Sequence, residues 1–137
     1  DVIRFLRIVG QLKTNKRTGW VYNDIDKPES IADHMYRMAI MASLITDDSL
    51  DRAKCIKMAL VHDMAEAIVG DIAPADNVPK DEKLRLETEA MDTICSLIPE
   101  SIGKEFKELF EEYTLQETSE AQFVKDLDRL EMVIQAA

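Results

Sequence analysis

Apolar residues recur every three or four positions along most of this 137-residue chain, and this helical spacing is the feature that most restricts its fold. No segment alternates apolar and polar residues convincingly enough to predict a strand. Only four Gly and four Pro interrupt the pattern, and hydrophobic residues make up 46% of the chain, which is enough for one sizeable core. We therefore predict an all-α fold, a single compact helical domain over residues 1–137 with about six main helices.

Capping residues and helix breakers place the predicted helices to within a few residues. The capping signals are Ser30 with Asp33, Asp51, and Ser119 with Gln122. The third helix is expected to run without a break to about Ile68 and to end at Gly70. The predicted helices cover residues 2–14, 30–45, 51–68, 80–97, 100–114 and 120–136, and long loops cover 15–28 and 70–78.

Three ionisable residues lie on the face of the third predicted helix that should be buried. At 100° per residue, His62, Asp63 and Glu66 all fall within about 60° of Ala59, which lies on the apolar stripe. Burying one unpaired charge is costly, so three ionisable groups on a core-facing stripe need compensation. A cation bound by histidine and carboxylate side chains provides it.

The second predicted helix places His34 at the centre of its apolar stripe. One such histidine alone is more often an ordinary core residue. The chain has only two histidines, however, and both face inward, which favours a shared site. In the last predicted helix, Glu131 also falls on the apolar stripe, while Asp126 and Asp128 flank it on opposite sides. Periodicity does not choose between these two aspartates.

Charge and hydropathy exclude several partners. The chain has 17 basic and 27 acidic residues, a formal charge of −10, which argues against nucleic acid because phosphate backbones bind clustered Lys and Arg. No apolar run reaches the roughly 18 residues of a transmembrane helix, so no membrane partner is expected. Cys55 and Cys95 both fall in helical stretches, which favours reduced thiols and an intracellular, cytoplasmic protein. Because the chain begins at Asp1 rather than Met, we interpret it as a trimmed domain.

His34, then the adjacent pair His62-Asp63, then Asp128 resemble the H…HD…D signature of the HD-domain superfamily. A bare His-Asp pair is a weak signal, whereas the full order on three predicted helices with apolar flanks is specific. The resemblance favours Asp128 over Asp126. It implies that His34, His62, Asp63 and Asp128 bind one divalent metal ion.

The run HDMAEAIVGDI, which starts at His62, is similar to the HD-domain 5′-deoxynucleotidases. In that group, a Glu three residues after the HD aspartate and an Asp eight residues after it belong to the active site, and Glu66 and Asp71 occupy these positions. Arg17 and Trp20, followed by the run PESIADH, also resemble this group. Its bacterial members have the Arg and Trp adjacent, whereas Thr18-Gly19 separates them here. The resemblance covers nearly the whole chain.

The resemblance implies a metal-dependent 5′-deoxynucleotidase that hydrolyses deoxyribonucleoside 5′-monophosphates and forms a homodimer. Two imidazoles and two carboxylates leave two positions of an octahedral ion open, which favours Mn²⁺, Co²⁺ or Mg²⁺ over a closed structural zinc site. Glu66 is then expected to act as the base or to position water. Asp71 is expected to orient water, the leaving 5′-oxygen or the sugar. Arg17 is expected to bind phosphate, and Trp20 to pack on the sugar or base.

Other interpretations stay open at this point. Another HD phosphohydrolase, acting on a cyclic nucleotide, a guanosine polyphosphate or a deoxynucleoside triphosphate, is the nearest rival, although the acidic composition argues against the triphosphate. A non-catalytic module that binds metal and nucleotide does not need Glu66 and Asp71. Taken singly, Glu66 also fits a paired helix-end carboxylate, and Asp71 a turn residue. Arg17 also fits a solvated surface pair with Lys16, and Trp20 a packing anchor.

Overall fold

The computed structural model of the protein describes residues 1–18, 28–71 and 76–137. The α-helices with both ends in these ranges are α1 (Val2–Gly10), α2 (Ile31–Ser43), α3 (Arg52–Val61), α4 (Glu66–Val69), α5 (Lys80–Cys95), α6 (Glu100–Leu115) and α7 (Ser119–Ala136), and a 3₁₀ turn, Gln11–Lys13, follows α1. The described residues contain no β-strand, and a single antiparallel bridge joins Lys16 to Ser30. The all-α prediction is confirmed, and the described parts of the chain contain six main helices and the short α4.

Two of the predicted caps define the helices that carry the site. Ser30 and Asp33 form the predicted capping box of α2, because each backbone amide donates to the other side chain at 3.0 Å. Asp51 caps α3, and its Oδ1 accepts a hydrogen bond from the Lys54 amide at 3.1 Å. These local bonds fix where α2 and α3 begin before any tertiary contact is considered.

The third predicted helix, over 51–68, is not continuous, and this expectation is wrong. α3 ends at Val61 and α4 begins at Glu66. In between, the Met64 amide donates to the Val61 carbonyl and the Glu66 amide donates to the Asp63 carbonyl, both at 3.0 Å. This spacing of three residues is the tighter 3₁₀ pattern. The His-Asp pair therefore lies in a turn between two helices.

Smaller differences occur at two other helix ends, whereas the predicted end at Gly70 is confirmed. The first predicted helix tightens into the 3₁₀ turn after Gly10. Thr118 rather than Ser119 is the N-cap of α7, because its hydroxyl accepts a hydrogen bond from the Ala121 amide at 3.1 Å. Gly70, with a φ of 79°, ends α4 in a backbone conformation that favours glycine.

The core lies where α2, α3, α6 and α7 meet. α2 packs along α3, α7 contacts both, and α6 joins α5 to the same centre. The largest buried apolar side chains there include Met38, Met58, Met91, Ile94 and Val124. Because α2, the end of α3 and α7 converge, residues that are far apart in the sequence meet at one point.

The described helices also bear on the expected environment of the chain. Cys55 and Cys95 are both free and buried, and burial raises the pKa of the Cys55 thiol to about 11. Among the described residues, none of the helices combines the length and hydropathy that crossing a membrane requires. The thiols of Cys55 and Cys95, being buried, are part of the core.

Gly103 allows α6 to approach the last residue of α5. A Cβ at this position would lie 2.7 Å from the Cys95 carbonyl oxygen. We expect Gly103→Ala to lower the free energy of unfolding by roughly 1–3 kcal/mol, because a clash with backbone outweighs the gain in helix propensity. Urea unfolding followed by circular dichroism measures this loss.

Gly10→Ala is the matched control for Gly103→Ala. No atom lies within 4 Å of the Cβ position at Gly10. Helix propensity then predicts unchanged or slightly higher stability. Equal destabilisation by the two substitutions would contradict the assigned close approach.

Candidate metal centre

The four predicted metal ligands converge on one point. His34 comes from α2, His62 and Asp63 from the turn after α3, and Asp128 from α7. One ligand atom from each side chain lies within 4.8 Å of all the others. His34 Nε2 is 2.6 Å from Asp128 Oδ1, and His62 Nε2 is 3.1 Å from Asp63 Oδ2. Two imidazole nitrogens and two carboxylate oxygens thus surround a common centre.

The cluster is buried on its histidine side and open on its carboxylate side. His34 is fully buried and His62 is 3% exposed, as their places on apolar stripes predicted. The side chains of Asp63 and Asp128 are 22% and 25% exposed to solvent. They face a cleft of about 470 Å³. Its charged lining residues are Arg17, Asp63, Glu66, Asp71, Lys80, Lys83, Glu87, Lys125 and Asp128.

Hydrogen bonds determine which nitrogen of each histidine faces the centre. His62 Nδ1 lies 2.7 Å from the Ala59 carbonyl oxygen, and His34 Nδ1 lies 2.5 Å from Glu131 Oε1. Because a carbonyl only accepts, His62 Nδ1 carries the proton of its neutral ring and Nε2 keeps its lone pair. A cation at the centre needs the same arrangement in His34, where Glu131 is the acceptor for the Nδ1 proton. The carboxylate oxygens that lie 2.6 Å from His34 Nε2 and 3.1 Å from His62 Nε2 do not have the geometry of a hydrogen bond to these nitrogens. Two such lone pairs beside two carboxylates fit a divalent cation.

The carboxylates and imidazoles stabilise the charged forms of one another. Burial alone would raise the pKa of Asp63, but His62, then His34 and Arg17, outweigh it and hold that pKa below its usual range. Burial favours a neutral His62 ring, yet Asp63 and then Asp128 raise its pKa above the ordinary value. A cation that enters the cluster therefore competes with protons, and its binding strengthens as the pH rises.

Glu66 lies on the wall of the same cleft, at the first residue of α4. It is only 7% exposed. Burial, then the charges of Asp63 and Asp71, raise the pKa of this carboxyl well above its ordinary value, against the opposing effect of Lys83. A carboxyl with a raised pKa is suited to exchanging a proton near neutral pH. Its position agrees with the role expected of it, which stays a prediction.

Asp71 joins the end of α4 to the segment that carries Arg17. Asp71 Oδ2 accepts a hydrogen bond from the Thr18 amide at 2.8 Å, and Thr18 Oγ1 donates to the Asp71 carbonyl at 2.7 Å. The Asp71 side chain also lines the cleft. These contacts are compatible with both interpretations of Asp71, as a turn residue and as a site residue.

Arg17 lies behind His34 and also reaches the cleft wall. Its Nη1 is 3.2 Å from Glu29 Oε1 and 2.7 Å from His34 Nδ1. Because a guanidinium only donates and a carboxylate only accepts, Arg17 and Glu131 place opposite demands on His34 Nδ1: the arginine favours its lone pair, and the carboxylate favours its proton. With a side chain that is 20% exposed, Arg17 is not a solvated surface group. Trp20 lies outside the described residues.

Some residues around the site were not expected from the sequence. The Tyr113 ring packs against the His62 ring at a centroid distance of 4.8 Å, and Lys125 Nζ lies 5.8 Å from the centre of that tyrosine ring. Helical spacing places Lys80, Lys83 and Glu87 along one side of α5. The sequence could not show which side of α5 faces the cleft, because that depends on how α5 packs. Glu131 was visible as a charge on an apolar stripe, without its partner.

Known proteins resemble the chain in sequence. A family model for the HD domain matches residues 9–137. The chain is 61% identical to a Mus musculus protein named 5′-deoxynucleotidase HDDC2 over 136 residues, which are 99% of this chain and 68% of that protein. The family match includes α2, the turn after α3, and α7, which carry the cluster.

Solved structures share the fold. A conserved hypothetical protein from Pyrococcus furiosus superposes with a TM-score of 0.80 at 34% identity, over 98% of this chain and 79% of that chain. A structure described as a predicted metal-dependent phosphohydrolase from Magnetospirillum magnetotacticum also has a TM-score of 0.80, at 28% identity, over 96% of this chain and 68% of that chain. Sequence and structure therefore lead to one assignment: this chain belongs to the HD domain family.

Proposed function

We propose that this chain is a metal-dependent 5′-deoxynucleotidase, which hydrolyses deoxyribonucleoside 5′-monophosphates to deoxynucleosides and phosphate. One observation carries the proposal: two buried Nε2 lone pairs and two carboxylates converge on the wall of a cleft that also contains Glu66. This combination suits hydrolysis of a phosphate ester. The name 5′-deoxynucleotidase belongs to a relative that is 61% identical over 99% of this chain, and it supports the choice of substrate.

We assign the cluster to a single divalent ion bound by His34, His62, Asp63 and Asp128. Mixed nitrogen and oxygen ligands without sulfur, with positions left open, favour Mn²⁺, Co²⁺ or Mg²⁺ over a structural zinc ion. When bound, such an ion supplies a positive charge that holds the phosphate oxygens and polarises the phosphorus. The remaining chemistry is assigned to side chains of this chain.

Glu66 is the proposed base. Its buried carboxylate takes a proton from the attacking water and returns it to the 5′-oxygen when the P–O5′ bond breaks. Asp71 orients the water, the leaving 5′-oxygen or the sugar, and holds the segment of Arg17 through Thr18. Arg17 contributes positive charge to the phosphate. Trp20 is proposed to pack on the sugar or base and to crowd a 2′-hydroxyl, which would give a preference for deoxyribose.

The charge of the cleft supports a small anionic substrate. Among the described residues, four basic side chains line it, although the chain as a whole has a formal charge of −10. Five carboxylates of the described residues line it as well, so a divalent ion would make this described part of the lining net positive by one. The volume of about 470 Å³ lies within the range of small-molecule sites. The basic residues are Arg17, Lys80, Lys83 and Lys125.

Assembly, location and domain organisation belong to the same proposal. We propose a homodimer, and exposed apolar side chains on α1 and α5, such as Ile3, Leu6 and Leu84, are suited to an interface. The free, buried Cys55 and Cys95 support an intracellular, cytoplasmic location. Residues 1–137 are proposed to form one domain.

Chelator-stripped protein should release no phosphate, and Mn²⁺, Co²⁺ or Mg²⁺ should restore release. We expect restored activity to favour 5′-deoxymononucleotides over their ribose and 3′-phosphate counterparts, because Trp20 is proposed to crowd a 2′-hydroxyl. Phosphate release, measured for each metal and each nucleotide, tests the site, the reaction and the sugar preference together.

The same panel separates the rival functions. Turnover of a cyclic nucleotide, a guanosine polyphosphate or a deoxynucleoside triphosphate, without turnover of monophosphates, would identify a different HD phosphohydrolase. Metal-dependent nucleotide binding without any turnover would identify a binding module. Folded, metal-loaded protein that does neither would overturn the proposal.

Glu66→Gln should lower kcat by about 10²–10⁴-fold, because the amide cannot accept the proton of water. Metal affinity should be retained, since Glu66 is not a proposed metal ligand. Steady-state kinetics and metal titration calorimetry measure the two effects. Glu89→Gln on α5 is the matched control, because Glu89 lies outside the described lining of the cleft. Equal kcat in the two variants would remove Glu66 from the role of base.

Lys83→Gln should shift the acidic limb of the pH–rate profile toward higher pH. Lys83 lowers the pKa of Glu66, so its removal makes the carboxylate harder to form and a higher pH is needed to deprotonate the base. Lys80→Gln, one turn earlier on α5, is the control and should shift the limb less. An unchanged limb in Lys83→Gln would contradict this electrostatic coupling.

A further inference from the structure

Glu131 is a charged residue inside the helix bundle. It lies one turn after Asp128 on α7, and no part of its side chain is exposed. Burying a carboxylate without partners costs more than its apolar neighbours contribute, so specific contacts must stabilise it. Those contacts lead to the metal centre, although Glu131 does not line the cleft.

The first contact is a hydrogen bond to a proposed metal ligand. Glu131 Oε1 accepts from His34 Nδ1 at 2.5 Å. With the proton on that nitrogen, the lone pair of His34 Nε2 faces Asp128 at 2.6 Å and Asp63 at 3.7 Å. The opposite tautomer would place an N–H where a ligand lone pair is needed. When a cation occupies the centre, Glu131 therefore accepts the Nδ1 proton and holds the ring so that Nε2 faces the ion.

The two histidines of the cluster are held by different acceptors. His62 Nδ1 donates to the neutral carbonyl of Ala59, whereas His34 Nδ1 donates to a carboxylate. A carbonyl holds the tautomer without adding charge. A carboxylate also raises the electron-donating power of the ring toward a cation. Because of this difference, we expect His34 to bind a divalent cation more strongly than His62 does.

Two arginines lie beside the Glu131 carboxyl group in the interior. Arg37 Nη1 lies 3.2 Å from Oε2, and Arg17 Nη1 lies 3.7 Å from Oε1. Glu29, His34 and Glu131 have the spacing of a second metal-binding group. The guanidinium of Arg17, also 3.2 Å from Glu29, already supplies positive charge there. We therefore assign Glu29 and Glu131 to the contacts that hold His34, and we assign no second metal ion to this group.

We infer that Glu131 is a positioning residue of the metal centre: its carboxylate, held by Arg17 and Arg37, orients His34 and increases the affinity of the site for a divalent ion. The inference rests on the proposed metal-dependent function. Glu131 touches neither the ion nor the substrate and acts through His34.

The test compares wild type, Glu131→Gln and Glu131→Ala after chelator stripping. Calorimetric titration with Mn²⁺ alone gives the dissociation constant, and the visible absorption of bound Co²⁺ reports the geometry and strength of its ligands. Urea unfolding of the metal-free proteins measures any structural contribution separately. Asp126→Ala is the matched control, because it removes an exposed carboxylate from the same helix.

We expect Glu131→Gln to weaken Mn²⁺ binding by about 10-fold and Glu131→Ala by up to about 100-fold. The glutamine keeps an oxygen that accepts from His34 Nδ1 but loses the charge, so its affinity should lie between wild type and alanine. The Co²⁺ spectrum should change in both variants. Asp126→Ala should bind both ions like wild type.

Two results would overturn the inference, and they are distinguishable. If Glu131→Gln binds Mn²⁺ and Co²⁺ like wild type and loses only metal-free stability, Glu131 is structural alone and the proposed function stands. If wild type binds no divalent ion, the proposed function fails and the role of Glu131 fails with it. Should Glu131→Ala not fold, Glu131→Gln decides the question.

Discussion

Burial of charge at the junction of α2, α3 and α7 is the constraint on which this structure depends. The described core is mostly apolar, and its buried carboxyl and imidazole side chains are those of Glu29, His34, His62, Glu66 and Glu131. All of them belong to the cluster, to the cleft or to the contacts behind His34. Because each buried charge needs an oppositely charged or hydrogen-bonded partner, the positions of the three helices and of these side chains depend on one another.

His34 divides this centre into two sides. Its Nε2 faces the open carboxylates and the cleft, where substrate chemistry is proposed. Its Nδ1 faces Glu131 and the arginines, inside the bundle. In the proposed function the open side exchanges an ion and a nucleotide, whereas the closed side is held by short contacts of His34 with Glu131 and Arg17. Such a site combines a histidine ring that is held in one orientation with two carboxylates that stay accessible from the cleft.

Much of this arrangement could be predicted from the sequence, because its signals are local. The capping box at Ser30 depends on hydrogen bonds within four residues, and helical periodicity alone placed His34 and His62 on buried faces. The break after Val61 could not be predicted in this way, because α-helical and 3₁₀ bonding differ by one residue of spacing and tertiary packing decides between them. The choice of Asp128 over Asp126 needed the family resemblance.

The remaining residues depend on pairings between distant segments. Glu131 could be recognised from the sequence as a charged residue on an apolar stripe. Its partner, His34, is 97 positions away on α2, and only the packing of α7 on α2 identifies it. Arg17 adjoins the bridge between Lys16 and Ser30, and this pairing of two separate segments places it beside α2. A charged residue on an apolar stripe therefore indicates from sequence alone that a compensating group exists. Which group it is, and whether it serves binding or catalysis, is decided by the tertiary structure.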